Sequence, residues 1–104
     1  MVLHVAITGR ILGAALKVHT ALGAGCLEST YDACLRHQLE KDGLKFRHIV
    51  EECVILELKA VEKLLPLHLA QVLTYLKLSR FQLGLIINFN VPHLRDGIRR
   101  VIRD

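Results

Sequence analysis

Two charged side chains interrupt an apolar, strand-like run in the middle of the chain. In the segment 54–60, VILELKA, Glu57 and Lys59 would project from one side of a β-strand and the leucines from the other. A carboxylate supplies the oxygen ligands that Mg²⁺ prefers, and an ammonium group beside it can steer a phosphate and offset its charge. The pair is thus a candidate for metal-assisted chemistry on a phosphate. The same pattern is also typical of an amphipathic strand with a solvated Glu/Lys face.

A third charged residue lies on an apolar helix face. On a helical wheel, Glu28 falls between Leu35 and Leu39 of the second predicted helix. A carboxylate at such a position needs a cation, a hydrogen-bond donor or a metal. Alternatively, it lies in the first turn, partly solvated and favoured by the helix dipole.

A later helix carries His68, Gln71 and Tyr75 along one stripe, beside the centre of its apolar face. These side chains could border a groove between helix and sheet, where an amide and a phenol would bind a phosphate or a base. Residues at such a boundary also commonly form only local hydrogen bonds.

The end of the chain is basic. Arg95, Arg99 and Arg103 are spaced by four and would form one stripe of a last helix. This stripe could contact phosphates, or it could be a solvated helix face. The chain has 14 basic and 10 acidic residues, a net charge of +4, which permits a polyanionic partner without requiring one.

The hydrophobic periodicity and the glycine and proline positions predict an α-α-β-β-α-β-α order. That order is typical of an α/β layered domain, here with a small sheet of about three strands. The predicted helices span 9–22, 27–42, 66–78 and 93–103, and the predicted strands span 44–50, 53–60 and 82–89.

The 104 residues fit a single domain over 1–104, and 52% hydrophobic content excludes intrinsic disorder. Charged residues such as Arg10 and Lys17 interrupt the apolar runs, so we expect neither a signal peptide nor a membrane span. Three cysteines without metal-ligand spacing favour reduced thiols and a cytoplasmic location. The apolar surplus in so small a domain suggests a homodimer face.

The candidate residues together resemble a known family. The segment 25–31, GCLESTY, is similar to the motif that names the GxxExxY proteins, with Gly25, Glu28 and Tyr31 at its defining positions. Glu57 and Lys59 resemble the ExK element of the PD-(D/E)XK nuclease superfamily, of which the GxxExxY proteins are a branch. Gln71 and Tyr75 resemble the QxxxY element of its RecB-like branches. The similarity extends over nearly the whole chain.

The resemblance implies a restriction-endonuclease-like α-β-α core with a small mixed sheet, and a nuclease dependent on Mg²⁺ or Mn²⁺. By the same resemblance, Glu57 would be a metal ligand, Lys59 the catalytic lysine, and Glu28 a helix-borne acid at the metal. Gln71 and Tyr75, with His68, would line a groove for nucleic acid, with DNA expected rather than RNA.

The chain departs from this pattern before the ExK element. The family's interval back from Glu57 reaches Arg47, where a PD-type aspartate is expected, and about two strands of ordinary length are missing there. Asp42 lies at a helix end, and Glu51 and Glu52 are not obviously placed to substitute. A catalytically impaired nuclease is one expectation. The alternative is a non-catalytic module that binds nucleic acid or protein, with an exposed sheet edge that two chains could cover by dimerising.

Overall fold

A computed structural model describes residues 4–46 and 49–103. Helices lie on both faces of a mixed four-stranded sheet, which confirms the predicted α/β class and is consistent with a restriction-endonuclease-like core. The elements are α1 (Val5–Leu22), α2 (Glu28–Lys41), β1 (Ile49–Val50), β2 (Val54–Lys59), α3 (Pro66–Ser79), β3 (Leu83–Asn88), the 3₁₀ turn η1 (Leu94–Gly97) and β4 (Ile98–Ile102).

The strands are arranged in the order β1-β2-β3-β4. The central strands β2 and β3 are parallel and joined through α3, whereas β1 and β4 pair antiparallel on the two edges. Every residue of β3 is buried, as expected for a central strand covered on both faces.

The two faces of the sheet have separate hydrophobic clusters. Helices α1 and α2 cover one face, where the larger cluster includes Leu56, Leu58, Leu85 and Ile87. Helix α3 covers the other face and packs Val72 and Leu76 against Ile55, Ile86 and Val101. This close packing depends on Gly84, because a Cβ there would lie 2.5 Å from Cγ1 of Val72.

The helix predicted over 93–103 is wrong. After the short turn η1, the chain enters the edge strand β4, in which Val101 pairs with Gly84 and Ile98 with Ile87. Pairing satisfies backbone groups on the outer side of β3 that a terminal helix would have left exposed or unpaired. The proposed helical stripe of Arg95, Arg99 and Arg103 therefore does not form.

The strand predicted over 44–50 is also shorter than expected. Only Ile49–Val50 forms β1, with an isolated bridge between Phe46 and Val50, and Arg47 lies outside the described residues. Residues 51–53 connect β1 to β2, and Glu51 and Glu52, the central residues of the turn from Val50 to Cys53, have φ angles of 51° and 56°. Positive φ at both central residues is the geometry of a tight hairpin turn, normally occupied by Asn-Gly.

Over the described residues, α1 alone is long and apolar enough to cross a membrane, with a mean hydropathy of 1.2. Its Ile11, Ala15 and Val18 side chains are buried in the cluster that α2 and the sheet share. Helices that pack against the core of a folded domain in this way also satisfy the criteria of length and hydropathy that α1 meets.

Candidate functional site

Glu57 and Lys59 lie on the face of β2 that is turned towards α3. Ile55 packs beneath α3, and side chains alternate along a strand, so the residues two and four positions later face the same way. Both are half-buried. Within residues 4–46 and 49–103, neither side chain makes a hydrogen bond or an ion pair. A half-buried charge pair of this kind is available to an external ligand.

Glu28 occupies the first position of α2 and is exposed. The dipole of α2 favours a carboxylate there. Because α2 packs on the opposite face of the sheet, Glu28 belongs to a different layer from the side chain of Glu57. The structure thus places Glu57 on the α3 side of the sheet and Glu28 at the start of a helix that covers the other side.

The described part of the chain contains no group of three or more His, Cys, Asp or Glu side chains that could hold a metal ion. Glu57 offers one carboxylate in a partly enclosed setting. Mg²⁺ is commonly bound by one or two carboxylates and keeps several waters or substrate phosphate oxygens. The single carboxylate of Glu57 therefore fits a metal ion whose remaining ligands are water and substrate oxygens, and not a site formed entirely by protein ligands.

Of the three acidic residues considered for the missing aspartate, Asp42 and Glu51 are engaged elsewhere, and Glu52 is exposed in the turn before β2. The Glu51 carboxylate accepts a hydrogen bond from the Lys45 backbone N at 3.2 Å, in the turn before β2. Glu57 lies three residues beyond the first residue of β2, roughly 10 Å along the strand. The Asp42 carboxylate accepts a hydrogen bond from Nε2 of Gln38 at 2.9 Å, at the end of α2.

His68, Gln71 and Tyr75 lie along one flank of α3, beside the buried Val72 and Leu76. The His68 ring is half-buried, and its Nδ1 accepts a hydrogen bond from the Leu65 backbone N at 3.0 Å. This contact ties the ring to the start of the helix. Gln71 and Tyr75 are exposed and free to contact a ligand.

Gly25 and Tyr31 organise the loop between α1 and α2. The Tyr31 hydroxyl donates a hydrogen bond to the Gly23 carbonyl at 2.5 Å and accepts one from the Cys26 backbone N at 3.1 Å. Gly25 has a φ of 93°, which favours glycine, and its N–H donates to Oδ1 of Asn90 at 3.1 Å. The loop that precedes Glu28 is therefore fixed to the end of β3.

Asn88 is a residue of this region that the sequence analysis missed. It is 2% exposed and lies beside Lys59 in the β2–β3 register. Its Oδ1 accepts from the Val61 backbone N at 3.1 Å, and its Nδ2 donates to the Val61 carbonyl at 2.9 Å. This side chain holds the segment that leaves β2 directly after Lys59. The only signal in the sequence is a polar residue inside the apolar run LIINF.

Comparison with known families decides the classification. A profile of the PD-(D/E)XK nuclease superfamily matches residues 5–51 and 48–101, which together include most of the chain. The chain belongs to the PD-(D/E)XK nuclease superfamily. No curated protein and no solved structure matches it.

The two matches to the PD-(D/E)XK superfamily meet at residues 48–51, at the turn between β1 and β2. This is the region in which the sequence analysis expects shortening and loss of a PD-type aspartate. The part of the superfamily fold that includes Glu57, Lys59 and α3 lies within the second matched segment.

Proposed function

We propose that the protein is a nuclease that hydrolyses phosphodiester bonds of nucleic acid with the help of Mg²⁺ or Mn²⁺. The observation that carries this proposal concerns Glu57 and Lys59, in a member of a nuclease superfamily. Both are half-buried on one face of a central strand, and neither has a side-chain partner among the described residues 4–46 and 49–103. Membership of the GxxExxY branch is part of the proposal, supported by Gly25, Glu28 and Tyr31, as is a RecB-like QxxxY element at Gln71 and Tyr75.

In this proposal, Glu57 would hold the divalent cation together with water and substrate oxygens. Glu28 begins the helix on the opposite face, so it could supply a second carboxylate only around the end of the sheet, where the loop before α2 is hydrogen-bonded to Asn90. A cation of this kind supplies Lewis-acid chemistry and lowers the pKa of a bound water when present. The ammonium group of Lys59 stabilises negative charge on the scissile phosphate and orients the attacking water.

The exposed flank of α3 would contact the nucleic acid. The connection β2–α3–β3 joins parallel strands, and such connections are right-handed in nearly all cases. With that hand, the flank with His68, Gln71 and Tyr75 is turned towards β2 and hence towards Glu57. We propose DNA as the substrate. We also propose a cytoplasmic location, because the three free thiols would stay reduced there.

Cleavage of supercoiled plasmid and single-stranded DNA with Mg²⁺ or Mn²⁺ tests the proposal. We expect slow, metal-dependent nicking that Glu57→Gln and Lys59→Ala abolish. Glu62→Gln is the matched control, because this acidic residue is exposed just beyond β2. Absence of cleavage, or equal cleavage by all variants, would rule out the nuclease.

The second candidate is a non-catalytic binding module for nucleic acid or protein, either monomeric or dimeric. It is favoured by the lack of a three-ligand cluster in the described residues. It predicts DNA binding that persists in EDTA and is not followed by cleavage with any metal. Light scattering over a range of concentrations would show whether two chains associate.

A further inference from the structure

Positive and negative charges are unevenly divided along the chain. Residues 28–62, which contain α2, β1 and β2, include eight acidic and five basic residues. Residues 63–104, which contain β4, include seven basic and two acidic residues. The stretch that ends in β4 is therefore net positive and the stretch that contains β1 is net negative, which favours the approach of a polyanion to the former.

Three of these basic residues belong to the edge strand β4 or to the turn that precedes it. Arg95 belongs to η1, and Arg99 and Arg100 belong to β4; all three are exposed. Successive strand residues point to opposite faces, so Arg99 and Arg100 straddle the edge. The structure pairs no acidic side chain of residues 4–46 or 49–103 with any of the three.

The register places Arg99 on the same face as Glu57. Ile86 of β3 pairs with Glu57 on one side and with Arg99 on the other. The two charged residues are thus two strand spacings apart, roughly 10 Å between Cα atoms. The Arg99 guanidinium donates to the carbonyls of Asp96 and Ile98, at 3.3 and 2.9 Å, and so points towards the end of the sheet that holds Lys59.

The backbone of β4 adds neutral donors to this surface. An edge strand has a row of N–H groups without a strand partner, and backbone N–H groups commonly donate to phosphate oxygens. Arg103 is not part of the surface, because it is half-buried and both Nε and Nη2 of its guanidinium donate to backbone carbonyls, those of Phe81 and Arg80, at 3.1 Å. It stabilises the fold. Arg99 is exposed and, within the described residues, donates to carbonyls through Nη1 alone, so its Nε and Nη2 are available.

We propose that Arg95, Arg99, Arg100 and the outer side of β4, termed the basic edge, bind the phosphate backbone of the nucleic acid. The inference rests on the proposed function, because it assigns the phosphate-binding surface of that nuclease. Since α3 covers Ile86 between Glu57 and Arg99, the nucleic acid would pass from the basic edge to Glu57 and Lys59 around the end of the sheet at which Ile98 lies. The contacts are with phosphates, so they confer affinity without sequence preference.

Fluorescence anisotropy of labelled DNA in EDTA tests the basic edge without cleavage. The test variant is Arg99→Gln/Arg100→Gln, and the control is Lys41→Gln/Lys45→Gln, which removes two exposed positive charges from the acidic side. We expect at least about a tenfold weaker Kd for the test variant at about 0.1 M salt. The slope of log K against log salt should fall by about two. The control should stay within about twofold of the parent chain.

Equal effects of the two double variants, no effect of either, or no DNA binding by the parent chain would each overturn the basic edge. The basic edge would also be overturned if polyglutamate displaced the labelled DNA as well as unlabelled DNA of equal charge does. The partner would then be an acidic protein. Arg95→Gln/Arg100→Gln serves as a second test if the first variant does not fold.

Binding through the basic edge without metal-dependent cleavage would refute only the nuclease. Cleavage that is unaffected by the basic-edge variants would refute only the basic edge.

Discussion

Tyr31 of α2 stacks on Phe89 at the end of β3, with ring centroids 4.7 Å apart and planes inclined by 14°. Both side chains are fully buried. The stack joins the helix that begins with Glu28 to the strand end that carries Asn88. The position of residues 25–31 relative to the sheet therefore depends on this aromatic pair and the hydroxyl of Tyr31, together with the hydrogen bond from the Gly25 N–H to Asn90.

We expect Tyr31→Phe to lower the free energy of unfolding by about 1–2 kcal/mol, because the Gly23 carbonyl and the Cys26 N–H lose their shared partner. The ring stack would be preserved. Urea denaturation measures the change. Tyr75→Phe is the control, since Tyr75 is 55% exposed, and it should change stability by less than about 0.5 kcal/mol. Equal stability of the two variants would contradict the role of the Tyr31 hydroxyl.

The same residue predicts a pH dependence of stability. Burial is the main cause that raises the pKa of Tyr31 above its ordinary value of 10.0; the Cys26 backbone N–H opposes it by stabilising the phenolate. The folded chain then holds this proton more tightly than the unfolded chain does, so stability falls as the pH rises above 10. Urea midpoints between pH 8 and 11 should decline less in Tyr31→Phe than in the parent chain. Parallel declines would show that other groups cause the loss.

Substitution of the site should separate activity from stability. Glu57 is half-buried without a described partner, so Glu57→Gln is expected to leave the melting temperature unchanged or slightly higher. If the proposed function is right, cleavage falls by at least about 100-fold. Thermal melts and a plasmid-nicking time course on the same preparations measure both. A large loss of stability would show that the carboxylate serves the fold.

Local signals in the sequence predict most elements but not the last one. Pro66 fixes the start of α3, and Gly43, with a φ of 80°, follows the end of α2. The segment after Pro92 was misassigned because Leu94, Ile98 and Val101 have helical spacing. Its pairing with β3 is non-local, and no pattern within the segment encodes it. Gly97, which is unfavourable inside a helix, is a local signal against the predicted helix, but it does not specify a strand.

In the candidate site, too, local relationships could be predicted from the sequence and non-local ones could not. Strand alternation is local and predicts that Glu57 and Lys59 share a face. The hydrogen bonds of Asn88 to Val61 join residues 27 positions apart, and the row from Glu57 to Arg99 passes through three strands. These relationships follow from the order and register of the strands, which a single sequence does not specify.

Close packing of α3 on the sheet gives a stability prediction with an internal control. A Cβ at position 84 would meet Val72 at 2.5 Å, and the buried Leu76 lies close by, so neither side chain can easily yield. We expect Gly84→Ala to destabilise the protein by about 1–3 kcal/mol. Gly9→Ala should instead stabilise it by about 0.5–1 kcal/mol, because nothing lies within 4 Å of its Cβ position in α1. Similar changes in the two variants would mean that α3 does not pack this closely.

The turn between β1 and β2 lies where the two superfamily matches meet, and it is occupied by residues poorly suited to it. Glu52 is exposed with a φ of 56°, and the turn is closed by the Cys53 N–H donating to the Val50 carbonyl at 3.0 Å. Left-handed backbone costs a non-glycine residue about 1–2 kcal/mol, part of which is offset by the greater freedom of unfolded glycine. Glu52→Gly should therefore raise the free energy of unfolding by about 0.5–1 kcal/mol in urea titrations. The control is Glu62→Gly, which also removes an exposed carboxylate but at a residue without a positive φ. It should not raise the free energy of unfolding. A destabilised Glu52→Gly would show that the chain does not form this turn, and that β2 is held by its pairing with β3 alone.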